Sequence, residues 1–160
     1  MQELVINSTI VFDPKNVTNK HVKQSSWKKH SICNIDDDID LYYAWFLKKR
    51  FNLELNRSIR GAHVTIINDR IKDFDLKQYD LAKSLFNNKP LKFTYYPEEI
   101  RSNGKHWWLK VYSDEAKAIR EFVGLNREPY TPFHLTLGYS NEKNEYHSKY
   151  ILDQIIRFGL

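Results

Sequence analysis

Residues 63–66 read His63-Val64-Thr65-Ile66 and residues 134–137 read His134-Leu135-Thr136-Leu137, so one order, histidine, apolar, threonine, apolar, occurs twice. The stretches around them, residues 57–68 and 133–140, are rich in β-branched and aliphatic side chains and read as strands. Side chains alternate across a strand. His63 and Thr65 therefore share one face while Val64 and Ile66 share the other, and His134 and Thr136 stand likewise against Leu135 and Leu137. Each strand can bury its aliphatic pair and offer an imidazole and a hydroxyl on the opposite side. With 41% hydrophobic residues and 16 Ser or Thr in 160, one histidine heads such a tetrad by chance with a probability of about 0.41 × 0.10 × 0.41, or about 1.7%. Two among six histidines do so at about 0.4%, which separates the repeat from an accident of composition.

Working outward, residues 4–12 form a β-branched run closed by Asp13-Pro14, a further strand. Residues 91–96 and 106–112 read as a strand pair joined through Asn103-Gly104. Asp36-Asp37-Asp38 precede an apolar run at residues 41–47 and Lys48-Lys49-Arg50 follow it, a charge order that suits a helix dipole. In that helix Tyr42, Tyr43, Trp45 and Phe46 are expected on the buried face. Residues 75–86, 114–123 (with Asp114 as N-cap) and 144–158 also carry helical spacing. Antiparallel strands mixed with helices argue against a doubly wound parallel sheet and predict an α+β fold.

Composition fits one globular domain over residues 1–160. Twenty-three Phe, Trp and Tyr are too many for a solvated disordered chain. The single Cys33 precludes an internal disulfide, as in a reducing compartment. Met1-Gln2-Glu3 lacks the basic start of a signal peptide and no apolar run reaches a membrane span, so a cytoplasmic location is expected. The net charge of +5 favours an anionic ligand, and its interspersed acids favour a small one over duplex nucleic acid.

The doubling has a chemical reason. Phosphodiester cleavage needs a base for the attacking hydroxyl or water and an acid for the departing oxygen, and two imidazoles with ordinary pKa near 6.5 can hold those states together at neutral pH. A threonine two residues on can donate to a non-bridging phosphate oxygen. The tetrads, and the run Thr131-Pro132-Phe133-His134-Leu135-Thr136-Leu137-Gly138-Tyr139 in particular, resemble the 2H phosphoesterases. That resemblance implies a bilobal α+β fold of two pseudo-symmetric halves, with antiparallel sheets lining a central groove and helices outside. It implies catalysis by His63 and His134, with Thr65 and Thr136 on the phosphate, and no metal or other cofactor. Within the family the chain is most similar to the phage anti-CBASS enzymes, which implies hydrolysis of 3′–5′ bonds in cyclic di- or trinucleotide immune signals in the host cytoplasm. Linear RNA ends, 2′–5′ oligoadenylate, a non-catalytic nucleotide sponge and a structural role are the alternatives the residues leave open.

A cyclic dinucleotide calls for aromatic platforms and cations. Trp108 and Lys110 alternate away from Trp107, Leu109 and Val111 and are candidates for substrate binding; Trp27 and Tyr95 are the others. Arg60, three residues before His63, reads as a surface charge unless Gly61 marks a bulge. His21, His30 and Cys33 lack a fourth ligand for zinc.

Overall fold

The structure, a computed structural model, describes residues 2–15, 28–68 and 74–141. Trp27, His21, His147 and the helix expected at residues 144–158 lie outside the described residues. The elements run β1 (Leu4–Phe12), β2 (Ser31–Ile35), α1 (Ile39–Phe51), β3 (His63–Ile67), α2 (Leu76–Phe86), β4 (Pro90–Ser102), β5 (His106–Tyr112), α3 (Asp114–Phe122) and β6 (His134–Tyr139). The fold is α+β. Among the described residues all six strands pair antiparallel, and they close into a ring in the order β1-β2-β3-β6-β5-β4.

The ring has an internal repeat. The series β1, β2, α1, β3 recurs as β4, β5, α3, β6, and exchanging the two sets returns the same neighbours throughout. No strand is expected from sequence at residues 31–35, yet β2 is what joins β1 to β3 and completes the circle. Its register slips between Ser31 and Ile32. Ile32 and Cys33 are consequently both buried, which erases the alternation that marks a strand.

Strand β3 is shorter than residues 57–68, because Gly61 sits at φ +78° and turns the chain just before His63. Strand β4 is longer than expected. Its register shifts between Tyr95 and Ile100, so Pro97, which has no N–H to donate, falls where the ladder is interrupted. The strand then continues to Ser102, and the turn shrinks to residues 103–105.

One face of the ring packs with helix residues into a single core. Ile6, Ile10, Cys33, Val64, Leu135, Leu109, Val111 and Phe93 join Tyr43 and Leu47 of α1, Tyr79 and Ala82 of α2, and Ile119 of α3. The buried stripe of α1 is Asp40, Tyr43, Leu47 and Phe51, at helical period. Tyr42 and Trp45 fall off that stripe and are 54% and 57% exposed, so the four aromatics expected on one buried face divide between two. Asp75 caps α2 by accepting from the backbone N–H groups of Lys77 and Gln78. In α3 the cap is Ser113, accepting from Ala116, rather than Asp114, which starts the first turn. Among the described residues no helix is long and apolar enough to cross a membrane.

Candidate active site

Strands β3 and β6 are neighbours, and their registered pair is Val64 opposite Leu135. These are the same position of the two tetrads, so the pseudo-twofold of the ring passes between them. In an antiparallel ladder one step along each strand sets His63 opposite Thr136 and Thr65 opposite His134. Directly opposed Cβ atoms lie about 4.5–5.5 Å apart and diagonal ones about 7–8 Å, which is the relation between the two histidines. The arrangement extends sideways. Asn34 of β2 stands beside His63, Lys110 of β5 beside His134, Trp108 beside Thr136, and Arg101 of β4 beside Trp108. Val64, Ile66, Leu135 and Leu137 are buried, whereas His63, Thr65, His134 and Thr136 are all half-buried on the opposite face.

Both imidazoles are oriented in the same way. Nδ1 of His63 lies 2.9 Å from the Gly61 carbonyl oxygen, and Nδ1 of His134 lies 2.9 Å from the Pro132 carbonyl oxygen. A carbonyl only accepts, so Nδ1 carries the proton in each neutral ring and Nε2 is left as the basic nitrogen. The two acceptor carbonyls sit at equivalent places, two residues before each histidine, but are secured differently. Pro132 fixes its own φ through its ring. Gly61 packs against the Arg57 guanidinium, 3.6 Å from where a Cβ would stand, and Arg57 is in turn clamped by Asp40, with Nε 2.7 Å from Oδ2 and Nη2 3.1 Å from Oδ1. Asp38 takes a third bond from Arg57 at 2.9 Å.

Electrostatics also differ. Burial pushes the His63 pKa below its ordinary value of 6.5, the Gly61 hydrogen bond opposes that, and repulsion from Arg60 and from the neighbouring His134 ring adds to the lowering while Asp40 counters it. Arg60 is thus a half-buried neighbour of His63 and not the detached surface charge of an ideal strand; the Gly61 turn brings it round, and it donates to the Lys15 carbonyl.

Two cavities flank His134. One, of about 400 Å³, is lined by Arg101, Trp108, Lys110 and the segment 131–134. The other, of about 370 Å³, lies towards β3 and is lined by Thr65, Asn68, Arg120, Tyr130 and, in common with the first, Thr131, Pro132 and His134. Lys110 holds its Nζ 5.1 Å from the centroid of Tyr112, whose hydroxyl donates to Glu99 at 2.6 Å, so the cation rests on an anchored ring.

Of the residues singled out from sequence, His63, Thr65, His134, Thr136, Trp108 and Lys110 come together on this face. Tyr95 does not. It pairs with Val111, is 6% exposed, and meets the Tyr43 hydroxyl at 3.3 Å inside the core, on the face away from the histidines. Arg101 and Tyr130 are added by the structure. Arg101 falls in a stretch that Pro97 disguises as a loop, and Tyr130 had no signal beyond its place between Pro129 and Pro132. Cys33 is buried with its thiol pushed up to about 12 by desolvation, and among the described residues no cluster of three metal-ligating side chains occurs. Comparisons with protein-family models, with curated proteins and with solved structures gave no match.

Proposed function

We propose that this protein is a phosphodiesterase of the two-histidine kind that hydrolyses 3′–5′ bonds of cyclic di- or trinucleotides without a metal ion. The observation that carries the reading is the pairing of equivalent tetrad residues, Val64 with Leu135, combined with matched Nδ1 bonds that leave both Nε2 atoms available on one face. The repeated ring of strands supports the two-lobed, pseudo-symmetric fold that goes with such an enzyme.

In this reading the phosphate sits over the Thr65–His134 and His63–Thr136 pairs. His63, held neutral by burial, takes the proton from the attacking oxygen through Nε2. His134, the more open ring, delivers a proton from Nε2 to the departing 5′ oxygen. As the P–O bond to that oxygen breaks and the new one forms, Thr65 and Thr136 donate to the non-bridging oxygens where charge accumulates. Lys110 beside His134 adds positive charge without entering the proton chain. Trp108 offers a face for base stacking. Imidazoles, hydroxyls and ammonium supply every role the cleavage requires, which supports the metal-free assignment.

Incubation of the purified protein with 3′,3′-cyclic dinucleotides in excess EDTA, followed by chromatography, tests the proposal. Linearised or fully cleaved product is expected, with weaker action on linear RNA and 2′–5′ oligoadenylate. Strict dependence on added divalent metal, or preference for the linear substrates, would overturn it.

A further inference from the structure

The cavity on the β3 side of His134 borders Thr65 and His134, but the reaction outlined above gives the rest of it no occupant. A phosphodiester joins its two nucleosides through two different oxygens on one phosphorus, and in-line displacement holds the departing one along the attack axis, so the two nucleosides leave the phosphate in different directions. The two cavities meet that requirement. They lie on the β5 and β3 sides of His134, share Thr131, Pro132 and His134 as a wall, and differ by only about 30 Å³ in volume. Each is within the range of about 300–1,000 Å³ typical of small-ligand sites, enough for a nucleoside.

Their chemistry differs. The β5-side cavity has an indole, a guanidinium and an ammonium in Trp108, Arg101 and Lys110. Besides His134, the β3-side cavity has among the described residues one Arg or Lys, Arg120, and it is committed to the fold: Nε donates to the Asn126 carbonyl at 2.9 Å, Nη1 donates to the Ile66 carbonyl at 2.7 Å, and the residue is 4% exposed. What this cavity offers a ligand is an aromatic ring. Tyr130 is fully exposed at its rim, on a Pro129-Tyr130-Thr131-Pro132 segment whose prolines restrict the backbone, so ordering the ring on a ligand costs little conformational entropy.

We propose that the β3-side cavity is a second nucleoside subsite, with Tyr130 as its stacking platform, so that the protein grips a substrate on both sides of the broken phosphate. The subsite rests on the phosphodiesterase reading for the position of the phosphate. It makes a dinucleotide unit the smallest ligand that fills the site, with uncharged base recognition on the β3 side and cationic recognition on the β5 side.

The test measures the binding of a phosphorothioate-substituted 3′,3′-cyclic dinucleotide, and turnover of the unmodified one, for the unaltered protein, Tyr130→Ala and Tyr130→Phe. Because Tyr130 is fully exposed, the variants keep the fold. Tyr130→Ala is expected to weaken binding and raise KM by about tenfold with kcat within about twofold, as loss of one base–aromatic stack requires, and Tyr130→Phe is expected to restore both. Unchanged affinity and KM in Tyr130→Ala would overturn the subsite while normal turnover left the phosphodiesterase reading intact. Binding that depends on Tyr130 in a protein with no turnover would support the subsite and sink the enzymatic reading. No binding by the unaltered protein would overturn both.

Discussion

The two halves of the ring repeat the same device and finish it differently. In each, a strand opens with a histidine whose Nδ1 is tied to the carbonyl two residues earlier. In the β6 half a proline holds that carbonyl and the ring stands between two open cavities. In the β3 half a glycine at φ +78° holds it, a buried Asp40 secures the glycine through Arg57, and desolvation lowers the pKa of the half-buried imidazole. Equal tautomers with unequal surroundings are what an acid–base pair needs. Local backbone geometry sets which nitrogen carries the proton, and desolvation pushes the His63 pKa down, as the proposed base requires.

The largest expected effect comes from removing either half of the pair. His63→Ala and His134→Ala should each lower kcat for cyclic dinucleotide by about 10²–10⁴-fold, and the double variant should fall little further, because the two act in one step. A single variant retaining near-normal kcat would break the comparison outright. Thr65→Val and Thr136→Val keep size and remove the hydroxyl, and each should reduce kcat by about 10²-fold with a smaller change in KM.

Stability separates the halves less sharply. Gly138 on β6 has φ +153°, and a Cβ there would lie 2.8 Å from both the Asn56 carbonyl oxygen and the Leu55 Cβ, so Gly138→Ala should cost about 1–3 kcal/mol and lower Tm. The reason is local: the Asn56–Tyr139 bridge brings the chain after α1 against β6.

The smallest effects are the most discriminating. With the His63 pKa lowered, the acid limb of kcat/KM should lie below pH 6.5. Arg60→Gln removes a charge that depresses it and should move the limb up, whereas Asp40→Asn removes a charge that raises it and should move the limb down. Opposite shifts in a pH–rate series would tie the limb to His63; equal or absent shifts would assign it elsewhere. The linked stability change has a definite sign. As pH falls through 6.5 the unfolded chain protonates this imidazole first, so stability declines there and levels off below the folded value.

Much of the site was legible because alternation is a strong constraint. Once His63, Thr65, His134 and Thr136 were placed on strands, their common face followed, and Trp108 and Lys110 were separated from Trp107 and Leu109 by the same rule. The reading failed where alternation is interrupted. A register slip hid β2 and so the closure of the ring, the Tyr95/Ile100 shift hid Arg101, and Tyr95 looked like a ligand contact because sequence does not say which face of β4 meets the core. Tyr42 and Trp45 were misjudged because four neighbouring aromatics span more of α1 than its buried stripe.

The central claim is that one phosphate is held between two imidazoles. Nitrogen-15 NMR of histidine-labelled protein, titrated with a phosphorothioate cyclic dinucleotide, reads it directly. Nδ1-protonated rings are expected at both His63 and His134 above their pKa values, with both Nε2 resonances shifting together and saturating at one equivalent. A shift confined to one ring, or saturation at separate ligand concentrations, would contradict the shared site.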